Sequence, residues 1–155
     1  MIAAALMLAA AFQAQGRESL GVFDSWGAFR DSAPLRCYAI SQPPQGARRG
    51  AFASIANWPR TEARNQLHIR LSRPRDPRAK VTLAVGERRF ELMAGPSDAW
   101  APDPRTDAAI VAAIRSSRSM SVESLASGGG AFADVYALKG AATAIDAAAM
   151  GCARR

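Results

Sequence analysis

Between Lys80 and Met93 the chain alternates apolar and polar residues on either side of Gly86-Glu87. A two-residue turn with glycine first matches the twist of an antiparallel hairpin. The register follows from the turn. Leu83 is expected opposite Phe90 and Val81 opposite Leu92 on one face, with Thr82 opposite Glu91 on the other. A slip by one residue would turn every apolar side chain to the wrong face, so turn and pattern enforce the same pairing.

Other stretches repeat the theme. Residues 66–72 alternate, with Leu67, Ile69 and Leu71 on one side and Gln66, His68, Arg70 and Ser72 on the other. That is the pattern of a strand with one polar face. Shorter strands are expected over 20–23, 36–41, 51–58, 120–125 and 132–138. Trp26 to Phe29 reads as an aromatic step between strands. Asp103-Pro104 opens a helix that runs to about Arg115, with Asp as N-cap and Pro at the first helical position. Residues 141–150 form an alanine-rich final helix. The fold class is therefore mainly β with two helices. It is an antiparallel β-sandwich or partly open barrel, with one helix before the last hairpin and one at the C-terminus.

A chain of 155 residues has room for one domain. No charged residue precedes Arg17, and Ile2 to Phe12 is a single apolar run. Such a run is too short to span a bilayer and suits a secretory leader. Residues 1–14 are read as a signal peptide and 15–155 as the domain. Export bears on the two cysteines, because in an oxidising compartment a pair of cysteines reads as a disulfide. Cys37 lies in a strand-like stretch, and Cys152 shares a helical face with Ile145, Ala148 and Ala149. In a cytosolic protein the same residues would be two buried free thiols.

The net charge is +7, nearly all of it from arginine, since Lys80 and Lys139 are the only lysines. The densest cluster spans residues 70–80, where Arg70, Arg73, Arg75 and Arg78 form a candidate anion-binding loop. No aromatic residue interleaves them, and two prolines do, which suits a solvated loop and disfavours nucleic acid.

No catalytic residue is assigned. His68 is the single histidine and is expected on a solvated strand face. Asp134 shares a strand face with Phe132, Tyr136 and Leu138, and reads as a buried, hydrogen-bonded structural acid rather than the carboxylate of a small hydrolase. One histidine and two distant cysteines do not make a zinc site, so no metal and no cofactor is assigned. Ser127 to Gly130 lacks the lysine of a phosphate-binding loop.

Asp24-Ser25-Trp26, followed by Cys37, resembles the start of the mature part of invasion-associated locus B proteins. Tyr136-Ala137-Leu138-Lys139-Gly140, then a small-residue helix ending in Cys152, resembles their tail. This chain has Ser25 where the family usually shows aspartate. The resemblance implies an exported, periplasmic or secreted protein with Cys37 and Cys152 as a structural pair and Trp26 in the core nearby. It implies no enzymatic activity. The expected role is a binding or scaffold module whose partner is an envelope protein or an anionic surface, with no transmembrane helix in the mature chain. The alternative is an anion-binding module for lipopolysaccharide phosphate or nucleic acid, working through the arginine loop.

Overall fold

The computed structural model describes residues 16–44 and 49–153. The leader expected over 1–14 lies outside the described residues, as does Arg48.

The N-terminal half is a meander of five strands: β1 (Arg17–Phe23), β2 (Trp26–Ser32), β3 (Leu35–Ser41), β4 (Phe52–Trp58) and β5 (Ala63–Arg70). The expected hairpin follows as β6 (Val81–Val85) and β7 (Arg88–Ala94). Its register is the one the turn dictated, with Leu83 against Phe90, Val81 against Leu92 and Thr82 against Glu91. Next come β8 (Asp98–Trp100), α1 (Pro104–Arg115), β9 (Ser119–Leu125), β10 (Ala131–Ala137) and α2 (Ala141–Ala153).

All ten strands form one antiparallel sheet in the order β1-β2-β3-β4-β5-β8-β7-β6-β9-β10. Of the two expected arrangements, this is the partly open barrel and not a sandwich of two sheets. The strip read as an aromatic step is in fact the full strand β2. The short strand β8 was not expected at all. It pairs with β5 through His68, Ile69 and Arg70, and with β7 through Met93 and Ala94. Three residues thus stitch the meander to the second half of the sheet.

The sheet curls. Its first and last strands are not paired with each other, yet the indole of Trp26 donates to the carbonyl of Ala137 at 2.8 Å. Gly140, just past β10, sits at φ 87°, and a side chain there would collide with the main chain of Phe23. Only glycine accepts both the backbone angle and the contact.

One face of the sheet and the two helices enclose the core. Ile55, Leu67, Ile69, Leu83, Ile110, Met120, Tyr136 and Ile145 are fully buried in it. Each buried aliphatic side chain of this size contributes about 1.5–3 kcal/mol. Helix α1 starts where the sequence placed it, with the Asp103 carboxylate accepting from the Thr106 N–H at 2.7 Å. Helix α2 buries Ala141, Ala144, Ile145 and Ala148, while Ala149, expected on that face, is exposed. It lies across β1 to β4, and its small residues let it approach closely. Among the described residues no helix is long and apolar enough to cross a membrane.

Candidate functional site

The two cysteines form a disulfide that joins β3 to α2, with Cα atoms 5.7 Å apart and a sequence separation of 115. Cys37 is fully buried, and Cys152 packs at the margin of the core. Trp26 is fully buried in the same core cluster.

The arginine loop is not a cluster of four free guanidiniums. Arg75 donates to five main-chain carbonyls, those of Asp76, Pro77, Ala79, Ala94 and Gly95, at 2.8–3.1 Å. It holds its own loop closed and fixes it to the end of β7. Its donors face inward onto the protein and are not available to an anion. Arg70 pairs with Asp98 at 2.8 Å. Arg73 and Arg78 are exposed, and among the described residues neither forms an ion pair. The loop therefore offers two guanidiniums to solvent.

His68 departs from the expected solvated residue. Its Nε2 lies 2.8 Å from Asp98 Oδ1, the oxygen that also receives Arg70. Its ring stacks on Trp100 with centroids 5.5 Å apart and meets the Phe52 ring edge-on at 5.1 Å. Ser54 stands directly across from it on β4. These are the residue types of a hydrolase triad, but the geometry differs. The Ser54 hydroxyl turns to the main-chain carbonyl of His68 at 3.5 Å, and among the described residues no hydroxyl is bonded to either ring nitrogen. A nucleophile and base need that bond. The cluster is a packed polar–aromatic strip on the outer face of the sheet.

Asp134 behaves as a structural acid. It is almost fully buried, and its Oδ2 accepts from the Ser72 N–H at 2.9 Å, tying β10 to the end of β5. Burial pushes the Tyr136 phenol far up, and the charge of Asp134 adds to it. Asp107 lies in the first turn of α1, where a negative charge suits the helix N-terminus. It is buried, and its Oδ1 accepts from the main-chain N–H of Leu67 at 2.9 Å. It docks α1 onto β5. Desolvation raises its pKa, the Leu67 bond opposes that, and the nearby charge of Asp103 adds to the rise.

A concavity lies beside β10. A groove of about 490 Å³ runs between this strand and the segment after β3, lined by Pro43, Pro44, Arg118, Ala133, Val135 and Ala137 among others. Strand β10 ends the sheet, so its outer edge faces this groove.

No family model matches the chain, and no curated protein does. A solved structure does match it: invasion associated protein B from Bartonella henselae, with a TM-score of 0.60 over 88% of this chain and 99% of that one, at 12% identity. The chain has the invasion-associated protein B fold. At this identity the likeness is one of fold, and it agrees with the resemblance read from the two ends of the sequence. The disulfide ties together those same two ends, the strand carrying Cys37 and the helix carrying Cys152.

Within this fold, sequence reasoning found the cysteines and the buried acid Asp134. It missed the groove, whose walls come from segments 74 or more positions apart: Pro43 and Pro44 on one side, Arg118 and β10 on the other. The one available signal was the composition of β10, whose residues Ala131, Ala133, Val135 and Ala137 carry no charge.

Proposed function

We propose that this protein is an exported, non-enzymatic binding or scaffold module of the cell envelope. The observation that carries the reading is the disulfide between Cys37 and Cys152. Such bridges form and persist in oxidising compartments and are rare in the reducing cytosol. The invasion-associated protein B fold is compatible with it. Three acids are engaged in structural bonds: Asp134 on Ser72, Asp107 on Leu67, Asp98 on Arg70 and His68. The groove beside β10 has an apolar wall, as a binding module needs.

The test is the intact mass of the protein from its native host before and after reduction, followed by crosslinking in the envelope. A mass lacking the leader, with a bridge that opens on reduction, supports the reading. A full-length mass with free thiols sinks it. The alternative, a site for lipid phosphate or nucleic acid on the arginine loop, would work through Arg73 and Arg78, because Arg70 and Arg75 are engaged elsewhere. Binding that weakens steeply with salt would favour that alternative.

A further inference from the structure

The two edges of the sheet are built differently. Strand β1 carries Arg17 and Glu18, ties Arg17 to Asp31 at 2.9 Å, and breaks its register with a bulge between Ser19 and Gly21. Charges and bulges are the usual means of stopping another strand from adding to an edge. Strand β10 has no bulge, and its one charged residue, Asp134, is turned inward and buried. Its register with β9 is unbroken from Ala131 to Ala137, and no charged side chain lies on its outward-alternating positions.

The backbone shows which groups are free. Gly130 accepts from Ala126 and Leu138 donates to Arg118, so the even-numbered residues point their main-chain groups at β9. In an antiparallel ladder the alternate residues point theirs away. Those are Ala131, Ala133, Val135 and Ala137. The carbonyl of Ala137 is taken by the Trp26 indole. Among the described residues nothing bonds to the N–H or carbonyl of Ala133 or Val135 on that side. The Val135 side chain is 51% exposed.

We infer that β10 is a strand-addition site for an extended peptide segment of a partner protein, an inference that rests on the proposed binding role and names its partner class. The Pro43–Pro44 wall opposite the edge makes the opening a groove rather than a free edge, which suits one added strand better than the edge of a second sheet. Main-chain bonds to Ala133 and Val135 would hold the segment, and its apolar side chains would lie along Pro43, Pro44 and Val135. Arg118, exposed at the groove and without an ion pair among the described residues, selects a segment with an acidic residue near one end. The excess positive charge of the chain favours the same choice.

The probe is a displayed library of random peptides selected on the intact protein. The selected sequences should alternate β-branched residues and carry an acid near one end. They should slow hydrogen exchange at the amides of Ala133 and Val135. Val135→Pro removes an N–H that β9 does not use, so the ladder survives. It should weaken binding by about tenfold or more, the equivalent of one lost hydrogen bond. Arg118→Glu is a surface change and should shift selection from acidic to basic ends, which decides the matter even if Val135→Pro fails to fold. The inference is overturned if no sequence is enriched, if selected peptides bind both variants as well as the natural protein, or if protection falls elsewhere. Protection of Ala133 and Val135 that grows with protein concentration alone would mark a second copy and overturn it too. Such failure leaves the envelope-binding reading to its own mass and crosslinking test.

Discussion

Trp26 and Ala137 lie 111 positions apart and are joined by a single hydrogen bond, 2.8 Å from the indole N–H to the carbonyl. The bond spans the gap between the two halves of an open sheet. It also engages the last outward carbonyl of β10, so among the described residues the unpaired edge begins at Val135.

Trp26→Phe should therefore cost about 1–3 kcal/mol, from the lost hydrogen bond to Ala137 and a void where the larger, fully buried ring stood. Urea unfolding of the variant measures it. A loss below about 0.5 kcal/mol, the range of ordinary surface changes, would mean that the bond does not hold the sheet closed.

Arg75 is predicted to matter for folding and its neighbours are not. Arg75→Met keeps an unbranched apolar stem but leaves five carbonyls without their donor. It should lower stability by about 3 kcal/mol. Replacing Arg73 and Arg78 together by alanine should stay within about 0.5 kcal/mol of the natural protein. Thermal melts of both variants separate a structural loop from a loop kept for its charge.

Removing the bridge by Cys37→Ala with Cys152→Ala should cost about 2–5 kcal/mol, because a long loop in the unfolded chain is no longer closed. The natural protein with reductant should match the double variant. Equal unfolding midpoints with and without reductant would show that α2 stays docked through its apolar face alone.

Asp107 makes stability depend on pH. Its folded-state pKa is raised, chiefly by desolvation, so the native chain holds that proton to a higher pH than the unfolded chain does. Between the ordinary aspartate value and the raised one, the native state binds more protons, and stability from this group falls as pH rises. Asp31 acts in the opposite sense. Its bond to Arg17 leads in lowering its pKa, with Arg36 assisting, so its contribution is present above the ordinary value and lost as pH falls. Asp107→Asn keeps an acceptor for Leu67 and removes the ionisation. The variant should gain stability relative to the natural protein as pH climbs out of the acid range. A melting-temperature difference that is flat with pH would contradict this.

The hairpin of β6 and β7 and the start of α1 were legible because each is decided by neighbours in sequence. Gly86 sets the turn, alternation sets the faces, and Asp103 caps the N–H three residues on. Strand β8 was not legible. Three residues are too few to show a period, and β8 exists because β5 and β7 stand on either side of it. His68 was misread for the same reason. Its polar setting on β5 is local, but Trp100 and Asp98 reach it from a strand 30 or more positions away.

Local pattern alone determined that this chain is antiparallel, rich in strands and supplied with two helices, with one cysteine on a strand and one on a helical face. Those features depend on propensity, turn chemistry and periodicity, which act over a few residues. Only the tertiary structure decided that one sheet curls rather than two sheets stack, that Arg75 is spent on its own loop, and that β10 ends the sheet beside Pro43 and Pro44. Each of these depends on which distant segment comes to lie against a residue, and that follows from packing the whole chain around one core.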